Sequence, residues 1–429
     1  MKRRTVIGLL VSILGFKGGS ALAQAPLKLS LKEAEALAVQ NHPRLRSAQF
    51  SASAAKENTR QIRSAYYPYA YGSLTGAVAE QDSRITAGGL NNPIIYNRYA
   101  NGFTVGQMVT DFGRTQNLVE SSHLRGQAAE QNIQATREEI LFQVDRAFYG
   151  VLRSQAVLKV AEQTVSERQT VVEQVTALEK SKLKSGLDLS FAQVNLAEAK
   201  LLLVQAQNDV QAAFATLSEA LGERTPRLFE LQEEPLPSVP LADLPQLLDK
   251  AIRDRPDLVS QRMTEEASQR FARAERDLRF PTVSVLASAG VTPAYEDPLT
   301  GHYAAAGFNV NIPIFNGHLF SARRAEAEFT AQAEAQNLRS LEDRVTRDLR
   351  VAWLNAKTAS DRLNLTRQLL DQANLALDLA QARYKLGLSS IVELSQAQLN
   401  QTQAQIESAS AKYDYQIQLA ALSYEVGTL

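Results

Sequence analysis

Four histidines, His42, His123, His302 and His318, and no cysteine at all bound the chemistry open to this 429-residue chain. A histidine binds a metal or moves a proton only where partners converge on it, and these four share no metal-ligand spacing. Lacking cysteine, the chain has no thiolate nucleophile, no thiolate metal site and no disulfide. A P-loop, a Gly-rich dinucleotide fingerprint and a Gly-x-Ser-x-Gly elbow are also missing, so no catalytic residue, metal site or cofactor is expected. Lys plus Arg and Asp plus Glu number 46 each, a formal charge of zero, which leaves no basic excess for nucleic acid. What stands out instead is a pair of glycine breaks. Lys184-Ser185-Gly186-Leu187 is followed by Asp188, and Lys385-Leu386-Gly387-Leu388 is preceded by Tyr384 and followed by Glu393. Glycines here suit helix C-caps, and the two acids suit the first turn of the next helix.

The elements that would position these breaks are announced by proline. Its ring blocks the helix hydrogen bond, and all 14 prolines avoid two tracts, Ile94 to Thr225 and Ile314 to Leu429. In the second tract, positions 345, 349, 352, 356, 359, 363, 366, 370, 373, 377, 380 and 384 alternate steps of four and three, and all but Thr366 are apolar or aromatic. That is a heptad seam. Ile140, Val144, Ala147, Val151, Leu158, Ala161, Val165, Val172 and Val175 form a looser one in the first tract. The frequent alanines predict flat packing of several helices, as in a wide tube. Helices from Gly113 to Leu183 and from Gly317 to Leu386 would each run about 100 Å.

Other segments alternate with period two: Phe103 to Val109, Val283 to Ala289 and Phe308 to Ile314, with a weaker Gly- and Tyr-rich one from Tyr69 to Val78. Their length suits tilted membrane strands, and Tyr66, Tyr67, Tyr69 and Tyr71 suit a membrane interface. A soluble four-stranded sheet fits the alternation equally well. Four strands cannot close a membrane barrel, which needs about eight. Membrane strands would therefore require several chains to share one barrel, with Gln81 to Gly102 and Val291 to His302 as outer loops.

Lys2, Arg3 and Arg4, the apolar run Thr5 to Phe16 and Ala21-Leu22-Ala23 form a secretory signal peptide, residues 1–23, cleaved before Gln24. The remainder is a duplication. His42-Pro43 and Tyr67-Pro68 match Arg255-Pro256 and Phe280-Pro281 at one displacement, and Asp188 matches Glu393 at the displacement of 205 that pairs Ala147 with Ala352. The expected organisation is a first repeat, 24–225, a Pro-rich linker, 226–245, and a second repeat, 246–429. Each repeat reads helix, two strands, very long helix, glycine turn, helix.

Taken together, the signal peptide, the duplicated helix-strand-strand-helix-helix order, the His42-Pro43 and Arg255-Pro256 openings and the Gly186-Leu187 and Gly387-Leu388 turns resemble the TolC family of outer membrane efflux proteins. This resemblance spans the chain from Gln24. It implies a homotrimer in which four strands per chain make a 12-stranded transmembrane β-barrel among outer-membrane lipid, while a coiled-coil helical barrel crosses the periplasm. The implied partners are a periplasmic adaptor (membrane fusion) protein and an inner-membrane transporter. An export channel gated at the hairpin tips follows, for small molecules or polypeptides. Asp188, Glu393 and Tyr384 would then form the periplasmic entrance, and Gly186, Leu187, Gly387 and Leu388 would contact the adaptor. Three like carboxylates around one axis would repel each other and attract cations. The same acids also read as simple helix-start acids, and the whole chain as a secreted periplasmic coiled-coil scaffold or adaptor. Strand pairs at matched places in both halves favour the channel.

Overall fold

The computed structural model describes residues 27–80, 97–225, 229–233, 235–236, 242–295 and 300–429. The leader 1–23, most of the first outer loop and much of the linker 226–245 lie outside the described residues.

In chain order the elements are β1 (Leu27–Leu29), α1 (Leu31–Asn41), α2 (Pro43–Arg63), β2 (Tyr69–Ala77), β3 (Arg98–Thr110), α3 (Arg114–Lys180) and α4 (Gly186–Ala220). They continue with β4 (Phe229–Leu231), α5 (Leu244–Asp254), α6 (Pro256–Arg276), β5 (Thr282–Tyr295), β6 (His302–Asn311), α7 (Leu319–Lys385) and α8 (Ile391–Val426). Both α3 and α7 have 67 residues, about 100 Å at 1.5 Å per residue. Each end of α7 lies 205 positions after its counterpart in α3 (319 − 114 and 385 − 180). The seam read from the second tract is real: nine of its twelve positions are buried, and Leu363, Ala359 and Leu370 are half-buried. Burying a Leu or Val of this kind contributes about 1.5–3 kcal/mol relative to exposure.

Each long helix is matched by two shorter ones joined end to end. The C-cap of α4 abuts the start of α2, and that of α8 abuts the start of α6. Pro43 and Pro256 occupy the first helical turn, where no N–H is required. His42 caps α2, its Nδ1 accepting the Arg44 N–H at 3.3 Å. Burial, with Arg44 beside it, holds its imidazole pKa below the usual value. Arg255 at the equivalent joint donates to Asp257 and to the Glu425 carboxylate and carbonyl. Burial disfavours its charge, but those two acids more than offset this and raise its pKa. Of the histidines, only His42 makes a side-chain cap; His318 sits at the α7 N-cap position without one, His123 lies within α3, and His302 opens β6.

The strands form one antiparallel sheet in the order β2-β3-β5-β6. Its register places Phe103 opposite Gly72 and Ala289, and Val105 opposite Ala70 and Ala287; Val285 opposes Phe308, and Val283 opposes Val310. The apolar positions of β3, β5 and β6 named here thus share one face with Ala70 and Leu74 of β2, and Tyr69, Tyr71 and Tyr303 stand on the other. Several strand boundaries differ from expectation, β3 already starting at Arg98 and β6 at His302. Because Pro313 cannot donate to a ladder, β6 stops at Asn311, leaving Ile312 and Ile314 outside it and exposed. In the other direction, β5 runs on to Tyr295, into the segment assigned to an outer loop.

One element had no sequence signal. β1 pairs in parallel with β4, Leu27 opposite Phe229 and Leu29 opposite Leu231, and Leu29 and Phe229 join a core with Leu31, Phe214 and Tyr413. Outside it, Glu233 accepts hydrogen bonds from Tyr413 and Lys412.

Gly222, the residue that ends α4, has φ +75, and a Cβ there would lie 3.0 Å from the His42 Cα. Gly222→Ala should destabilise the protein by about 1–2 kcal/mol or more, whereas Gly186→Ala, with open space around it, should not; thermal unfolding of the two variants compares them.

Candidate functional site

The two hairpin tips lie side by side. At the first, α3 ends through Lys182 N–H bonding to the Glu179 carbonyl and Leu183 N–H to the Leu178 carbonyl; at the second, Gly387 and Leu388 repeat this with Tyr384 and Arg383. Both are Schellman endings with a left-handed residue at the turn. That residue is Gly387 (φ +73) in the second hairpin and Lys182 (φ +57) in the first. The pairing of Gly186 with Gly387 is therefore corrected: Gly186 opens α4 and has no positive φ, and its counterpart is Ile391. Identical Gly-Leu dipeptides had suggested the wrong alignment, off by four residues. The match of Asp188 with Glu393 stands, each the third residue after an N-capping serine, Ser185 or Ser390.

Ser185 and Asp188 form a reciprocal capping box. The Asp188 N–H donates to the Ser185 hydroxyl at 3.2 Å, and the Ser185 N–H to Asp188 Oδ2 at 3.0 Å. The other carboxylate oxygen, Oδ1, accepts a hydrogen bond from the Tyr384 hydroxyl at 3.3 Å. Asp188 thus caps its own helix and ties the first hairpin to the second. Tyr384 is 5% exposed, packed with Val175, Ala192, Leu377, Ala380, Ile391 and Leu394. Lys184 crosses the same gap, its Nζ 3.8 Å from the Tyr384 ring centroid and 3.4 Å from the Tyr384 carbonyl. Burial, and then the neighbouring Asp188 charge, push the Tyr384 phenol up to about 12. Burial alone would raise the Asp188 pKa, but the Ser185 and Tyr384 hydrogen bonds and the Lys184 charge outweigh it and hold the carboxyl below its ordinary value.

Glu393 plays a different part. It pairs with Arg383 at 3.1 Å within its own hairpin, an exposed pair worth about 0–1 kcal/mol. Leu187 and Leu388 point outward, 65% and 66% exposed, as do Leu183 and Leu386. Sequence reasoning gave no role to Lys184, Arg383 or Lys182, because spacing in a single chain does not say which basic residue crosses between hairpins, which pairs within one and which takes a left-handed turn. No group of three or more His, Asp or Glu able to hold a metal occurs among the described residues.

Paired 100 Å helices hung from an open-edged sheet with an apolar face define a class of protein: a subunit of an outer-membrane channel continued as a helical tube. No helix among the described residues is long and apolar enough to cross a membrane. The sequence profile of the family described as "Outer membrane efflux protein" matches residues 36–223 and 247–428. The chain is 25% identical over 417 residues to the outer membrane efflux protein BepC of Brucella suis, covering 95% of this chain and 87% of that one. It is 22% identical over 430 residues to the outer membrane protein TolC of Escherichia coli K12, covering 97% and 85%. A membrane protein from Pseudomonas aeruginosa superposes with a TM-score of 0.82 at 21% identity, over 92% of this chain and 93% of that one. The chain belongs to the TolC family of outer membrane efflux proteins. Members are passive channels and not enzymes, and membership sets aside the reading as a periplasmic scaffold.

A left-handed lysine costs about 1 kcal/mol that a glycine does not. Lys182→Gly should therefore stabilise the first tip by about 0.5–1 kcal/mol and Gly387→Ala destabilise the second by about 1–2 kcal/mol, read as opposite shifts in thermal unfolding.

Proposed function

We propose that three copies of this chain form one export conduit of a tripartite efflux or type I secretion system, closed at rest by its hairpin tips. The observation that carries the reading is the sheet: both of its edge strands, β2 and β6, are unpaired in the monomer, and most of β2 and all of β6 are exposed. Lipid-facing edges are not tolerated. Because β2 and β6 run antiparallel to each other in the alternating sheet, β6 of one copy can continue antiparallel onto β2 of the next, and three copies close twelve strands. Exposed Leu365, Leu369, Leu375 and Leu379 on α7, with Val194, Leu201 and Val204 on α4, give the neighbouring copy an apolar face to cover. The proposed mature chain begins at Gln24, after the 1–23 leader, and consists of two repeats around the linker.

In this reading Asp188 and Tyr384 are the latch and Glu393 the acid of the entrance. The outward leucines Leu187 and Leu388, beside Gly186 and Gly387, meet a periplasmic adaptor that connects the tube to an inner-membrane transporter. Opening swings the second hairpin away from the first, breaking the Tyr384–Asp188 hydrogen bond and the Lys184 contacts while leaving the Ser185–Asp188 cap in place. Cargo passes by diffusion, and selection lies with the transporter.

The test is conductance of the purified protein in planar bilayers. A hydrogen bond to a carboxylate is worth about 1.5–3 kcal/mol, so Tyr384→Phe and Asp188→Asn should each raise the open-to-closed ratio by about tenfold or more. Unchanged conductance in both would overturn the latch, and recovery as a heat-insensitive monomer or in the soluble periplasmic fraction would overturn the conduit. The latch also has a defined pH window. Asp188 has a lowered pKa when folded, so its contribution is complete above the ordinary carboxylate value of about 4 and is lost as pH falls through the folded value. Tyr384 keeps its proton until about 12. Closure should therefore be constant from about pH 5 to 9 and fail only in stronger acid.

A further inference from the structure

Above the latch, the seam between α3, α4 and α8 changes character. Arg168 of α3 is 5% exposed and Gln398 of α8 is 2% exposed. Arg168 Nη2 donates to the Gln398 carbonyl at 2.9 Å and to the Thr402 hydroxyl at 3.0 Å, and no carboxylate of a described residue lies within ion-pair distance of it. Burial lowers its pKa, with only the nearby Glu167 acting against this. Uncompensated buried charge is costly, by several kcal/mol even after relaxation.

The acceptors around Arg168 are already used. Asn195 Nδ2 donates to the Ser395 hydroxyl at 2.8 Å and to Gln398 Oε1 at 3.5 Å, which orients the Gln398 amide and leaves its buried Nε2 without a partner. The groups left over beside the Arg168 head are mainly donors: Gln398 Nε2, the Thr402 and Ser395 hydroxyl protons, and the remaining Arg168 N–H groups. Water can accept from such donors, but it leaves the positive charge unmatched. The residues that carry them line one cavity of about 240 Å³, together with Asn195, Glu198, Leu202, Leu399 and Ile406. Glu198 at its margin is exposed and makes no ion pair with Arg168.

We propose that this cavity is a binding site for a small organic carboxylate with an apolar body, held by the Arg168 guanidinium and Gln398 Nε2 and covered by the three aliphatic side chains. The charge selects an anion. Convergent donors select a planar group with several lone pairs, and the aliphatic wall selects a body of roughly aromatic-ring size. The site lies apart from the Tyr384–Asp188 latch and does not rest on the export reading.

The experiment uses 4-fluorobenzoate and the full-length protein purified in neutral detergent, with protein-free micelles as the blank, and follows ¹⁹F line broadening. Saturable binding displaced by benzoate is expected. Arg168→Gln should weaken it by about tenfold or more, and Gln398→Leu, which keeps the charge, by about threefold to tenfold. Helix content by circular dichroism checks that both variants fold; should Arg168→Gln fail to fold, Gln398→Leu decides alone. Absence of saturable binding, or equal binding in the variants, overturns the site, including the case in which a neighbouring copy's acid already neutralises Arg168. Equal displacement by benzamide overturns the role of charge. Displacement by chloride or acetate as effective as by benzoate overturns the role of the apolar body.

Discussion

Backbone amides and carbonyls that face hydrocarbon without a partner cost several kcal/mol each, and β2 and β6 present a full row of them at the two edges of one sheet. Much of the rest of the molecule can be understood from that constraint. A sheet of four strands cannot curl far enough to satisfy its own edges, and the proposed assembly satisfies them with copies of the same chain. The strands lead through short turns into α3 and α7, so in the proposed assembly the arrangement of strands around an axis would dictate that of the helices. Their seams are rich in alanine, which lets helices lie flat against several neighbours where a leucine seam would draw two of them into a rod.

The tips show how little material a link between two hairpins requires. A reciprocal capping box is an ordinary way to start a helix, yet it uses only one of the two Asp188 carboxylate oxygens. The second is free to reach across to Tyr384. Because the cap already fixes the carboxylate, the cross-hairpin bond forms with little further loss of side-chain entropy. Glu393 occupies the same helical position in the other half, but it turns to Arg383 of its own hairpin. The duplication therefore supplies two similar hairpins, of which only one carries the acid that joins them.

Periodic features were legible in the sequence because they are repeated many times: the period-two strands, the seam that ends at Tyr384, the proline positions and the duplication. Features decided by single residues were not. The alignment through Gly186 and Gly387 failed because a lysine, Lys182, adopts the left-handed turn that glycine usually takes. Arg168 sits at a seam position where a hydrophobe would be expected, and sequence spacing cannot show that its partners are a carbonyl and a hydroxyl of α8, 230 or more residues away. Asp188 was identified as a candidate, but its partner Tyr384 could be joined to it only through the resemblance to a family, since the two are 196 positions apart.

The parallel pair of β1 and β4 has a bearing on how the protein reaches its fold. β1 begins only four residues beyond the expected leader junction, and its partner, Phe229–Leu231, follows some 200 residues later. Long-range parallel pairing is slow because the loop must close before any contact rewards it. A chain that crosses the inner membrane N-terminus first would hold β1 unpaired until the whole first repeat and its long hairpin had emerged. The clasp then acts as a timer: the stem of the molecule is drawn together at the joint between halves only once the first half is complete.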